Sequence, residues 1–210
     1  MMRRNLNALK GIKHLFQNQV QRFITFQHGV LNFTTTCVFL SVIFYTNQTL
    51  HFDEWQIGFV LSAAGIGNLL GVFLLNKIKH FSWNILYAWL MGFSCGGLLL
   101  IFLTGHLIFI SLGMLIFDGA LSMAFVVNGS ARQAVTPDHY LARLAGGGIL
   151  ISGLASISGN LFAGSITESL SPQIPLAFTA FLLLIAAVFS LFFKSGRNQV
   201  DNLTPISMKV

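Results

Sequence analysis

The sequence predicts an all-α membrane protein built on six transmembrane helices, and three observations carry that prediction. The chain is 54% apolar and only 9% charged, with a mean hydropathy of +0.74, whereas soluble domains carry about 25% charged residues. Its 21 phenylalanines are spread through long uncharged runs. Its basic residues sit between those runs, and they fall on one side when the connections are numbered alternately. The same scatter argues against nucleic acid as a partner despite the net charge of +6, because no basic patch forms along the chain. Cys37 and Cys95 both lie inside apolar runs, which supports neither a disulfide framework nor a thiolate metal site.

In chain order, residues 1–22 carry Arg3, Arg4, Lys10, Lys13 and Arg22 and no acid. Leu9, Ile12, Leu15 or Phe16, and Val20 recur at helical spacing, which predicts a basic amphipathic helix on the membrane surface. A signal peptide fits less well, since the apolar run that follows is too long and no small-residue cleavage site closes it. A spanning helix needs about 20 mostly apolar residues. Residues 23–45, 56–75, 83–104, 107–128, 145–166 and 174–193 meet that requirement and make a six-helix domain over 23–193. The glycines within them are no objection, because glycine is commoner in membrane helices than in soluble ones. Residues 194–210 read as a polar tail.

Charge then predicts sidedness. Residues 1–22, the loop with Lys77 and Lys79, the loop with Arg132 and Arg143, and the tail together hold all twelve Lys and Arg. The opposite side receives Asp53, Glu54 and Glu168 and no base. The positive-inside rule makes the basic side cytoplasmic, with both termini there, in an inner or plasma membrane.

Polar residues are shared unequally among the spans. Thr25, His28, Asn32, Thr35 and Phe39 form one stripe of the first helix, and Ser111, Asp118, Ser122, Phe125 and Gly129 form one of the fourth. The second helix has Ala63, Gly67 and Gly71 with Asn68 beside them, and the fifth has Gly148, Ser152, Ser156, Asn160 and Gly164. The third and sixth offer little beyond Ser94, Thr179 and Ser190. Helices one, two, four and five are therefore expected to line a shared interior, and three and six to face lipid. Small residues every fourth position let membrane helices approach, so Ala63, Gly67, Gly71, Gly148, Ser152, Ser156 and Gly164 are expected to serve packing. The stripe through His28 and Asn32 suits cavity lining and plain interhelical hydrogen bonding equally well.

Asp118 is the only acid within any span and lies far from either surface. Intramembrane acids are costly and usually face a cavity or a partner. Two readings stand for it. One is a group that takes a proton from one side and releases it to the other, or attracts a cationic compound, with His28, Asn32, Ser122 and Asn160 around the same cavity. The other is packing alone, through a hydrogen bond to Ser122 or Asn32. Arg132, Asp138 and Arg143 are expected to hold the cytoplasmic connection in one conformation, or else to fix topology and contact anionic lipid.

Enzyme chemistry is not expected. The nearest approach to an intramembrane Gly-x-Ser-Gly nucleophile is Ser156-Ile-Ser158-Gly159, and no histidine follows it. No metal-ligand spacing and no Gly-x-x-x-x-Gly-Lys-Ser/Thr loop occurs, so no cofactor is implied.

Three stretches resemble the C-terminal half of a major facilitator superfamily transporter, in the branch of drug, macrolide and siderophore exporters. Leu9-Lys-Gly-Ile-Lys-His-Leu-Phe16 with Phe23 onward resembles the lead-in to the seventh helix. Gln56-Ile-Gly-Phe-Val-Leu-Ser-Ala-Ala-Gly-Ile-Gly-Asn-Leu-Leu-Gly71, with Asn76-Lys-Ile-Lys79, resembles the eighth helix and the second copy of the family's loop signature. Ala131-Arg-Gln-Ala-Val-Thr-Pro-Asp-His-Tyr-Leu-Ala-Arg143 resembles the connection between helices ten and eleven, with Ala142 where the family often has glycine. The resemblance implies one half of a 12-helix fold and proton-driven efflux of a small amphipathic compound. It also implies a second six-helix half as partner, either another copy or a separate chain, with the substrate between the halves. The alternative is a truncated, non-transporting membrane protein or subunit.

Overall fold

The computed structural model describes residue 16, residues 18–78 and residues 81–193. Most of the expected amphipathic segment at 1–22, and all of the tail at 194–210, lie outside the described residues. Six helices follow one another: α1 (Gln19–Phe44, extended by a π-helical turn over Tyr45–Thr49), α2 (Glu54–Ile78), α3 (Trp83–Leu103), α4 (Leu107–Val135), α5 (Asp138–Ser169) and α6 (Gln173–Phe192). Each is long and apolar enough to cross a membrane. The described residues form an all-α protein of six such helices, as expected. Their alternation defines a basic end, with Arg22, Lys77 and Arg132, and an acidic end, with Asp53, Glu54 and Glu168.

The helix bounds match the predicted spans closely except around the 128–145 connection. α4 runs to Val135 and α5 starts at Asp138, so a stretch expected to be a loop of about fifteen residues shrinks to Thr136 and Pro137. Ala131-Arg-Gln-Ala and Leu141-Ala-Arg-Leu-Ala are strong helix formers and extend both helices. Pro137 stops α4. It removes a donor and holds Thr136, the residue before it, extended at φ −102° and ψ 123°. Pro137 then caps α5, whose first residue, Asp138, suits the positive end of the helix dipole.

Four helices close a ring: α1 packs on α4 and α6, and α3 packs on α4 and α6. Buried side chains bridge it. Gln27 Nε2 donates to Ser190 Oγ of α6 (2.9 Å), Asn128 Nδ2 to the Ile24 carbonyl of α1 (3.0 Å), and Ser94 Oγ to the Phe117 carbonyl of α4 (3.2 Å). At the basic end Phe23 and Phe193 stack with ring centroids 4.0 Å apart, and Trp83 meets both edge-to-face. Outside the ring, α2 packs chiefly on α4 and α5 chiefly on α1.

This arrangement changes the part assigned to α6, which buries Leu176, Thr179, Leu183 and Ser190 in the ring, and to α3. The exposed face of α3, with Ile85, Trp89 and Phe93, is apolar and suits lipid, but Trp83, Tyr87, Leu90, Met91 and Leu98 fill the core. Among the six helices α2 and α5 present the least buried surface.

Candidate functional site

Helical phase places the polar stripes. At about 100° per residue, Leu115, Gly119 and Ser122 form the side of α4 that meets α2, and Asn128 lies on the side that meets α1. Asp118, Phe125 and Arg132, seven residues apart, run between those two sides. On α1, Ile24 meets α4, while Phe33 and Thr36 meet α5. His28, Asn32 and Thr35 fall between. The two stripes therefore form the floor of one groove, with α2 along one bank and α5 along the other. The expected shared interior of helices one, two, four and five is thus an outer face, since α1, α3, α4 and α6 enclose the interior.

Glycines set the depth of the banks. A Cβ on Gly67 would collide with the Leu115 carbonyl and one on Gly71 with that of Gly119, so α2 and α4 touch backbone to backbone. Ala63 is buried on the same side of α2. On the other bank, a Cβ on Gly159 would stand 2.5 Å from the Phe33 carbonyl and from Thr36 Oγ1. Thr36 Oγ1 also donates to the Ser156 carbonyl (3.0 Å), tying α1 to α5. A similar reciprocal approach joins α3 to α4 at Gly97 and Gly113, where a Cβ on either would stand 2.6 Å from the other's carbonyl oxygen. Gly97, Gly113 and Gly119 belong to no small-residue series in the sequence.

The expected series on α5 holds only at its start. Gly148 is buried and Ser152 and Ser156 are half-buried, but Asn160 is exposed and Gly164 has open space around its Cβ. Strict four-residue spacing gains about 40° per step on a helix of 3.6 residues per turn, so the series turns off the contact face. The buried line runs instead through Tyr140, Leu144, Gly148, Gly159, Ala163 and Thr167. Asn160 does not join the groove floor.

The remaining residues divide into two places. Asp118 is 8% exposed, with Asn68 of α2 as its polar neighbour. Ser122 Oγ donates to the Asn68 carbonyl (3.3 Å) and to the Gly119 carbonyl (3.3 Å), so this polar knot belongs to the α2–α4 seam. His28 lies about two helical turns toward the basic end, edge-on to Phe125 with centroids 5.9 Å apart. Its charged neighbour is Arg132, and its Nδ1 is buried without a hydrogen-bond partner. Asn32 Nδ2 donates to the His28 carbonyl (2.8 Å) and is spent on its own helix. The structure therefore does not pair His28 or Asn32 with Asp118.

Arg132 is not in a loop. It stands in the last turn of α4 and turns into the bundle, with Tyr87 and His28 as electrostatic neighbours. Asp138 and Arg143 are exposed on α5. Among the described residues no group of three or more His, Cys, Asp or Glu could hold a metal ion.

No family model, curated protein or solved structure matches this chain. Its chemistry must be read from the groove itself, which offers one carboxyl, one guanidinium, one imidazole and apolar banks.

Proposed function

We propose that this chain is one six-helix half of a facilitator-type exporter, moving a small amphipathic compound across an inner or plasma membrane with the proton gradient as drive. The observation that carries this reading is the groove. α1 and α4 turn their polar stripes to the same side, and α2 and α5, the two least buried helices, stand along that side. His28, Asn32 and Thr35 are half-buried on that side, where lipid offers a polar group no partner. A second six-helix half, supplied by another copy or a separate chain, would convert the groove into an enclosed cavity. The order of the three sequence stretches that resemble the facilitator C-terminal half supports the same reading, and the one-sided basic residues support cytoplasmic termini.

Asp118 is the residue proposed to couple proton and substrate. Among the described residues it is the only acid away from the helix ends, and its neighbour Asn68 belongs to the helix bank that would move with respect to a second half. Asp118→Asn keeps the shape and a hydrogen-bonding amide but cannot titrate. In cells carrying the chain with its second half, this variant at normal expression is expected to lose most export of a lipophilic dye. Export that retains both its rate and its dependence on external pH would refute the coupling role.

A further inference from the structure

The basic end of the groove holds a charge that the coupling reading does not use. Arg132 is half-buried, and its Nε and Nη2 are buried with no hydrogen-bond partner. Nη1 rests against Gly148 of α5, where any side chain would collide with it. The glycine thus makes room for the guanidinium between α4 and α5. Tyr87 of α3, 1% exposed, has Asn128 as its hydrogen-bonding neighbour and Arg132 as its charged one. His28 of α1 completes the surroundings with an unpartnered Nδ1.

Three helices therefore bring a cation and polar groups together, a glycine of the fourth makes room, and among the described residues none delivers a counter-charge. Asp118, the carboxyl in the same groove, is fourteen residues back along α4, about 21 Å away along the axis. Asp138 is exposed at the start of α5. Removing a guanidinium from water without a partner is strongly unfavourable, and its planar fork is matched by carboxylate or phosphate oxygens.

We propose that Arg132, with Tyr87 and His28, forms a binding site for an oxyanion, the carboxylate or phosphate of an amphiphile, at the basic end of the groove. The guanidinium donates to the oxyanion, with the Tyr87 hydroxyl and the His28 imidazole as its polar surroundings, while the apolar part lies along the groove toward Phe125. The site deepens the export reading by adding an anionic group to the cargo, and rests on that reading for this step alone. A bilayer lipid headgroup carries the same chemistry, and the test separates the two sources.

The full chain is placed in phosphatidylcholine nanodiscs, and thermal unfolding is followed by tryptophan fluorescence against rising benzoate, phenyl phosphate and, as the cationic counterpart, benzylamine. Both anions are expected to raise the unfolding temperature and benzylamine to leave it unchanged, since a ligand that binds only the folded state stabilises it. In Arg132→Gln the half-saturating anion concentration is expected to rise by about tenfold or more. Discs containing phosphatidylglycerol form the second arm. Stabilisation by that lipid that depends on Arg132, with no response to the soluble anions, supports the site and assigns it to a headgroup. Equal responses to benzoate and benzylamine, anion responses that survive Arg132→Gln, or no response to any anion would overturn it. Should Arg132→Gln fail to fold, Gly148→Ala, which keeps the charge but fills the place of Nη1, is read the same way, and the benzoate–benzylamine contrast needs no variant. None of these measurements reads export, so this site and the Asp118 role stand or fall separately.

Discussion

Replacing Gly67 with alanine tests how α2 is held and therefore how Asn68 reaches Asp118. A Cβ at position 67 would collide with the Leu115 carbonyl oxygen and stand 2.8 Å from its carbon and 2.9 Å from its Cα. Ordinary contact begins at 3.4 Å, so α2 must retreat from α4 by 0.6 Å (3.4 less 2.8) or more. A gap of 0.5–1 Å forfeits about a quarter to a half of each dispersion contact across it, and overpacking of this kind costs roughly 1–3 kcal/mol. The Ser122–Asn68 hydrogen bond, already 3.3 Å long, would open as well. Gly65, on the same helix, has nothing within 4 Å of its Cβ, so Gly65→Ala keeps every contact and gains about 0.5–1 kcal/mol of helix propensity. The two variants are thus expected to move stability in opposite directions. Reversible unfolding by denaturant in mixed micelles, followed by tryptophan fluorescence, measures the difference. Equal midpoints for Gly65→Ala and Gly67→Ala would refute the backbone contact.

Two further outcomes are expected. On α5, Gly159→Ala should cost about 1–3 kcal/mol by pushing the helix off Phe33 and Thr36, whereas Gly164→Ala, facing open space, should be neutral or slightly stabilising; the same unfolding assay checks both, and a cost at Gly164 would contradict the helical phase given to α5. With Cys37 and Cys95 replaced, a single cysteine at exposed Leu170 should react with an impermeant thiol reagent on intact cells and one at exposed Gln133 should not; the reverse pattern would invert the proposed orientation.

Much of this molecule is legible in its residues because lipid imposes a one-dimensional rule. A segment must stay apolar for about 20 residues to cross, and bases gather on one side. Six spans, their order and the segregation of charge all follow from counting along the chain. That α1 and α4 each carry one polar face also follows, because their stripes alternate steps of three and four and so hold one helical face.

Other features depend on which helices meet, and composition is silent on that. The four-residue series on α5 looks continuous in sequence but rotates by about 40° at each step; only the contact with α1 reveals that Gly159, and not Asn160 or Gly164, lies in the interface. Gly97 and Gly113 gain their meaning as a pair, each making room for the other's carbonyl. Arg132 shows the difference most sharply. By its place in the chain it belongs with the bases that mark the basic side, and a long side chain there is free to point to water or lipid. Gly148 opens a space on α5, Tyr87 and His28 are the electrostatic neighbours of Arg132, and its guanidinium turns inward. The direction of a flexible side chain is decided by the vacancy its neighbours leave, and those neighbours lie 16, 45 and 104 residues away in sequence.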